Sequence, residues 1–381
     1  MEKFSAYRDP GTGIQPFLTP VPPPSSHSTV LSTALLPIRY IIGLIRLTIV
    51  LLLTVCYVLI TKGVCSILVV VPPLQRVTVS FTTSVIARAV LFCLGFIWIP
   101  TEIVSKKRGR IQNVSGAWKP SGGDLIISNW TSWIELLWLS YRFDPVFVLP
   151  IPESTVQSVP STTSSPILHT PGRRAPRNSI PDVPASSRNP TSQIPITGFR
   201  EVSLFTILKE TGRVPSPTTA GARPRSLDEI RKTSDRPVVV FPECTTSNGR
   251  GLLRFADIFR ESLPIKGWNV FVMCVRYDPP TELLRTATHS IPSSSLNPLP
   301  HLFSLVSSLG IPALTIRLLN QSESPSSPTF QVHDVIGVSS KDELAEAAAV
   351  LISQLGKFKR MTLGWEDKTR FLDFYGSKRN P

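Results

Sequence analysis

The chain has 381 residues, 42% of them hydrophobic, which is enough to bury one sizeable core with length left over. Its 40 lysines and arginines against 26 acidic residues give a net charge of +14. So basic a chain favours a polyanionic partner, either nucleic acid or an anionic membrane surface. No nucleic-acid-binding motif occurs and strongly apolar segments do, so we expect a membrane surface and no nucleic acid as partner.

The first 37 residues are polar and rich in proline, which predicts a flexible N-terminus. Ile41–Ile60 is almost wholly apolar, and twenty such residues can cross a hydrocarbon layer of about 30 Å. The shorter segment Val85–Pro100 either crosses the membrane or lies in its interface. We therefore expect residues 38–100 to form a membrane anchor, either a hairpin or one span plus an interfacial helix. A pair of buried core helices is the alternative.

A basic cluster, Lys106–Arg110, follows the apolar segments directly. Its position suits anionic headgroups, although a solvated turn is the plainer interpretation. By the positive-inside tendency it places this side of the membrane in the cytosol. The five cysteines show no metal-ligand spacing and no CxxC, which agrees with a reduced compartment and predicts no metal site.

The remainder, 101–381, shows strand and helix patterns in alternation, which predicts an α/β domain. We expect a largely parallel sheet with helices on both faces. Predicted strands cover 124–128, 146–149, 238–241, 269–277 and 313–319. Predicted helices cover 131–143, 199–210, 252–262, 302–309, 341–355 and 366–375. Residues 153–193 are dominated by Pro, Ser, Thr and Arg, which predicts a disordered insertion within this domain.

Two of the predicted strands end in polar residues suited to a site. Val238–Phe241 runs into Pro242-Glu243 and a turn rich in hydroxyl groups, Cys244–Ser247. The strand at 124–128 runs into Asn129–Glu135. Because α/β proteins collect ligands at the carboxyl ends of their strands, and polar turns suit phosphate groups, we expect one site formed by both turns.

Four segments together resemble the glycerolipid acyltransferases, the family that acylates lysophosphatidic acid. Phe241–Thr245 is similar to the family's FPEGT block, and Ser128–Glu135 to its NHxxxxD block. Thr197–Arg200 occupies the place of the third block, and Val270–Pro280 that of the last. The opening Met1–Leu18 and the tail Leu363–Lys368 narrow the resemblance to the fungal lysophosphatidic acid oleoyl-acyltransferase group, which is also described through vacuolar protein sorting.

The chain departs from the family at both catalytic positions. Trp130 stands where the family has its histidine base, and indole only donates a hydrogen bond. Glu135 stands where the family has aspartate, and Ser132-x-x-Glu135 is also a capping box. Cys244 replaces the usual glycine. None of the five histidines falls within this block, and a histidine brought in by folding is the remaining source of an imidazole.

The resemblance implies transfer of an acyl chain from acyl-CoA, as co-substrate, to the free hydroxyl of lysophosphatidic acid or a related lysophospholipid. The catalytic positions would be those of Trp130 and Glu135, with Glu135 acting directly or through water as a weak base. The substrate-binding residues would be Arg200, Glu243, Cys244, Thr245, Thr246 and Arg250. The alternative is a lipid-binding protein of the same fold in trafficking or lipid-droplet organisation. The implied location is the endoplasmic reticulum membrane, with lipid droplets as a second site and the catalytic domain facing the cytosol.

We predict that deletion of 153–193 leaves folding intact, because the tract has no pattern that could form a core. The free energy of unfolding of the deletion variant should stay within about 1 kcal/mol of the parent value. Thermal unfolding in detergent measures this. Loss of expression together with loss of a cooperative transition would show that the tract belongs to the fold.

Overall fold

The computed structural model describes residues 4–23, 35–64, 68, 71–105, 118–153, 193–217, 223–259, 261, 263–336 and 341–379. The basic cluster at 106–110 lies outside these residues. So does the predicted insertion at 153–193, apart from its first and last residues.

The described residues form eight α-helices and one seven-stranded sheet. The helices are α1 Leu36–Val58, α2 Pro72–Cys93, α3 Ile134–Phe143, α4 Leu204–Glu210, α5 Leu227–Thr233, α6 Leu299–Val306, α7 Glu343–Gly356 and α8 Trp365–Arg379. The strands are β1 Thr101–Val104, β2 Leu125–Ser128, β3 Val146–Pro152, β4 Ile196–Val202, β5 Val238–Val240, β6 Val270–Tyr277 and β7 Leu314–Leu319. The class is α/β, as the sequence predicts.

The strands lie in the order β1-β7-β6-β2-β5-β3-β4. The pairs β1–β7, β6–β2, β2–β5 and β5–β3 are parallel, while β7–β6 and β3–β4 are antiparallel. Successive residues of β2 enter two different apolar clusters, because side chains alternate along a strand. Ile126 packs with residues of α2 and α3, whereas Leu125 and Ile127 pack with residues of α7.

Helices α1 and α2 are both long and apolar enough to cross a membrane, with mean hydropathies of 2.5 and 1.3. Helix α1 continues into a π-helical turn at Leu59–Val64. Helix α2 begins at Pro72, thirteen positions before the predicted segment, because proline fits the first turn of a helix. Arg46 of α1 donates to the carbonyl oxygens of Val306 and Ser308 at 3.4 and 3.2 Å, which ties α1 to the end of α6.

Two predicted helices in the α/β region differ from the structure. Of the helix predicted at 199–210, only α4 forms, and the first residues belong to β4. The segment 252–262 is irregular in its described residues. There the backbone N–H groups of Leu252 and Arg254 donate to the carbonyl oxygens of Lys359 and Leu363, so they are not available to a local helix. Strand β1 and helix α5 were not predicted.

The N-terminal segment 4–23 lies in a region predicted to be flexible, yet the structure packs it on the C-terminal end of the chain. Phe17 is buried against Phe371 of α8, with 5.5 Å between ring centroids. Asp9 is buried as well, and its carboxylate accepts hydrogen bonds from Thr362 and Thr12. Partners more than 350 positions away stabilise a segment that has little regular structure of its own.

We predict that Asp9→Ala lowers the free energy of unfolding by about 1.5–3 kcal/mol at pH 7, the range for hydrogen bonds to a charged group. Burial alone would raise the pKa of Asp9, but hydrogen bonds from Thr362 and Thr12 lower it below its usual value. The stabilisation is therefore present above the ordinary pKa of 3.8 and disappears as the pH falls through the lowered pKa.

Urea unfolding in detergent at pH 7 and pH 3 measures the difference between parent and variant. The exposed Asp373 of α8 provides a matched control, since Asp373→Ala should change the free energy of unfolding by less than about 0.5 kcal/mol. Equal effects of the two substitutions at pH 7 would contradict the assigned role of Asp9.

Candidate functional site

The two turns singled out in the sequence meet at one edge of the sheet. Strands β2 and β5 are parallel neighbours, so their carboxyl ends lie side by side. The backbone N–H of Trp130, after β2, donates to Glu243 Oε2 at 2.7 Å. The indole of Trp130 stacks on Phe241 with 4.9 Å between centroids. The two turns are therefore in contact at the carboxyl ends of β2 and β5.

Glu243 is sealed inside the protein and has no exposed surface. Its second oxygen, Oε1, accepts from the backbone N–H of Leu253 at 2.9 Å. Burial raises the pKa of Glu243 to about 8 against the lowering effect of these two hydrogen bonds, and the nearby Glu135 raises it further. The carboxyl group connects three segments of backbone. Glu243 therefore fixes the backbone around the site, and it does not line the polar or the apolar cavity.

Glu135 is also fully buried. Oε1 accepts from the backbone N–H groups of Thr131 and Ser132 at 2.6 and 2.9 Å, and Oε2 accepts from the hydroxyl of Tyr277. Burial raises the pKa of Glu135 to about 7. The glutamate half of the capping box is thus present, and the Ser132 hydroxyl accepts from the backbone N–H of Ile134 at 3.4 Å. The geometry favours a structural role for Glu135 over that of a base.

Cys244 occupies a turn position with φ of +57°, a conformation that glycine adopts without strain and other residues rarely adopt. This explains why a glycine is the usual residue at the matching position of the family that the sequence resembles. The thiol is buried and lies 3.5 Å from the carbonyl oxygen of Pro242. Burial raises the pKa of Cys244 well above its usual value, so the group is a neutral thiol at physiological pH.

Thr245 and Thr246 point their hydroxyls into the protein. Thr245 Oγ1 donates to the carbonyl oxygen of Arg213 at 2.7 Å, and Thr246 Oγ1 to that of His289 at 2.6 Å. Lys368 of α8 has no exposed surface. Its Nζ donates to Thr245 Oγ1 at 2.8 Å and to the carbonyl oxygen of Thr246 at 2.7 Å. Sequence analysis assigned no role to Lys368, and only the resemblance of the tail at 363–368 marked its surroundings.

Two neighbouring cavities open beside these turns. A small polar cavity of about 40 Å³ is lined by Trp130, Cys244, Arg200 and Arg213 among others. An apolar cavity of about 550 Å³ is lined by residues of α1, α2, α3, α4 and α6. Arg213 lines both cavities. Arg213, which is paired with Glu210 at 3.8 Å, therefore stands where the polar cavity meets the apolar one, an arrangement suited to an amphiphile with an anionic head.

The predicted cations fall into two groups. Arg200 of β4 lines the polar cavity. Arg250 is exposed and is not among the residues that line the polar or the apolar cavity. Nearby, Arg254 pairs with Glu366 at 3.2 Å. Arg213, for which the sequence analysis gave no role, lines both cavities.

Folding does bring a histidine beside the first turn. The backbone N–H of His289 donates to the carbonyl oxygen of Thr131 at 2.8 Å, and its Nε2 lies 2.8 Å from Asn297 Oδ1. Its ring packs on that of His301, with 4.6 Å between centroids. Burial lowers the pKa of His289 to about 4 and that of His301 to about 3, so both imidazoles are neutral. Neither ring lines the polar or the apolar cavity.

No family model, no curated protein and no solved structure matches this chain. Among the described residues, no group of three or more His, Cys, Asp or Glu side chains is arranged to hold a metal ion. The chemistry of the site must therefore be argued from its own residues.

We predict that Glu243→Gln destabilises the fold by about 1–3 kcal/mol near pH 5, because the amide nitrogen would face a backbone N–H that needs an acceptor. In the parent, burial raises the pKa of Glu243 to about 8, so the folded state resists ionisation that the unfolded chain undergoes near 4.5. This contribution to stability is lost as the pH rises from about 4.5 to 8. Glutamine does not titrate, so the variant has no such pH-dependent contribution.

The stability difference between parent and Glu243→Gln should therefore shrink as the pH rises to 8. Chemical unfolding in detergent at pH 5, 6.5 and 8 measures it. A difference that grows with pH would mean that Glu243 is an anion in the folded protein at neutral pH.

Proposed function

We propose that this protein transfers an acyl chain from acyl-CoA to the free hydroxyl of lysophosphatidic acid or a related lysophospholipid. The observation that carries the proposal is the position of Arg213 between a polar cavity and an apolar cavity. The resemblance of the sequence blocks to glycerolipid acyltransferases supports it independently. An anionic headgroup would contact Arg213 and Arg200, and the acyl chain would extend among α1, α2 and α4.

The apolar cavity lies between the two helices that are long and apolar enough to enter a membrane and the α/β region. A lipid substrate would therefore reach it from the bilayer. We accordingly propose that 38–100 anchors the protein in the endoplasmic reticulum membrane, or at lipid droplets, with the α/β region facing the cytosol. Helices on both faces of the sheet are also part of the proposal. It is supported by β2, whose successive residues belong to two different apolar clusters.

Most of the rate acceleration would come from proximity and orientation of the two substrates. This contribution can be large without a general base. Trp130 lines the polar cavity at the position of the family's base, and its Nε1 donates to the carbonyl oxygen of Ser132 at 3.1 Å. An indole in this state takes no proton. Glu135, sealed behind the turn, is left as a residue that fixes the conformation of 131–132.

The same observation favours a second function, lipid binding without acyl transfer. A protein that keeps the cavities and the cation but carries Trp130 in place of an imidazole is equipped to hold a lysophospholipid. Such a protein would act in membrane trafficking or lipid-droplet organisation.

We predict that Trp130→His raises acyltransferase turnover by up to about 10²–10⁴-fold, the usual contribution of a general base. The assay uses purified full-length protein in detergent with radiolabelled oleoyl-CoA and lysophosphatidic acid. Trp130→Phe is the matched control, since it keeps an aromatic ring on Phe241 without supplying a base. Arg213→Ala should weaken lysophosphatidic acid binding both in the parent protein and in the Trp130→His variant.

The outcomes separate the two functions. Turnover in the parent, increased by the histidine variant only, supports the enzyme. Binding that depends on Arg213, with no turnover in the parent or in the histidine variant, favours the lipid-binding function. Failure of the parent to bind lysophosphatidic acid would overturn both.

A further inference from the structure

A buried lysine needs a reason, because removing an ammonium group from water is strongly unfavourable unless hydrogen bonds replace the lost solvation. Lys368 Nζ has three acceptors within reach: Thr245 Oγ1 at 2.8 Å, the carbonyl oxygen of Thr246 at 2.7 Å and Thr246 Oγ1 at 3.3 Å. Helix α8 thus delivers a fully satisfied cation to a turn that lies 123 positions earlier in the chain.

The direction of each hydrogen bond at Thr245 is fixed by the chemistry of its partners. A carbonyl oxygen can only accept, so the hydroxyl of Thr245 donates to Arg213 and its oxygen accepts from an N–H of Lys368. The single proton of that hydroxyl is then directed at the carbonyl oxygen of Arg213, 2.7 Å away. A continuous path of donation runs from Lys368 through Thr245 to the backbone of Arg213. A hydroxyl that accepts from a cation is also a stronger donor.

The segment that carries Arg213 is held from a second side. Asn297 Nδ2 donates to the carbonyl oxygens of Lys209 and Thr211, both at 2.8 Å. Its Oδ1 accepts from the backbone N–H of Ser293 at 3.1 Å. The backbone of 209–213 is therefore fixed by Asn297 at its start and by Thr245 at its end. The guanidinium group of Arg213 lies at the junction of the two cavities, where Nη1 is 3.8 Å from Glu210 Oε1.

We propose that Lys368 is a positioning residue: through Thr245 it fixes the backbone of Arg213, so that the guanidinium group is held ready for the anionic headgroup of the lipid. The proposal rests on the proposed function for the identity of the ligand, and the link itself is a property of the protein alone. Fixing a cation before the ligand arrives strengthens binding because less freedom is lost in the complex.

Binding of 1-oleoyl lysophosphatidic acid to the full-length protein in detergent is the first measurement. Thr245→Val preserves shape and removes the hydroxyl, and Lys368→Met removes the cation while keeping the length of the side chain. Each should weaken binding about three- to tenfold, the equivalent of one hydrogen bond. In an Arg213→Ala background neither should weaken binding further, because the group they position is gone.

Thr246→Val is the matched control. Thr246 belongs to the same turn and also contacts Lys368, but its hydroxyl donates to His289 and not to Arg213. Any effect of Thr246→Val on binding should therefore be the same with and without Arg213. A role of Lys368 in general stability would instead make all three substitutions additive with Arg213→Ala.

A second measurement needs no lipid. Trypsin cleaves after arginine, and the carbonyl group of Arg213 belongs to the bond it would cut. Thr245→Val and Lys368→Met should speed the cut after Arg213, as followed by mass spectrometry, more than Thr246→Val does. Equal cleavage in all variants would overturn the positioning role. Faster cleavage in a protein that binds no lysophosphatidic acid would uphold the link and refute the proposed function.

Discussion

The site depends on the pairing of β2 with β5 and on the carboxyl group that follows it. Parallel strands bring both turns to one edge, and Glu243 then holds them together by accepting from the backbone of Trp130 on one side and of Leu253 on the other. Without that acceptor, two buried N–H groups would lack partners, each at a cost of about 1–3 kcal/mol. The position of the polar cavity follows from this connection.

A buried carboxyl group at this point has a consequence for the surrounding charges. Glu243 lies near a second buried acid, Glu135, and a buried base, Lys368. Burial raises the pKa of both acids and lowers that of the lysine, so the interior disfavours every charged form. Among the described residues, Arg200 and Arg213 line the polar cavity together with Glu210.

The sequence predicted what depends on short-range pattern. The apolar run at 238–240 and the polar residues after it were enough to locate Glu243 at the edge of a sheet. The helix predicted at 252–262 failed because its backbone pairs with 359–363 instead, and such long-range partners leave no trace in local periodicity. Arg213, His289 and Lys368 were missed for the same reason. Each reaches the site only through the fold, and of the three only Lys368 lies in a segment, the tail at 363–368, that the resemblance had marked.

The attachment of the N-terminal segment restricts how the chain can thread a bilayer. Asn248 donates to the carbonyl oxygens of Gln15 and Leu18, so the residues before α1 are fastened to the same α/β unit that follows α2. In a protein anchored through α1 and α2, both ends of the anchor would therefore lie on one side of the bilayer, and the number of crossings between them would be even. A hairpin satisfies this parity, as do two helices that dip into one leaflet. A single span with an interfacial helix would not satisfy it.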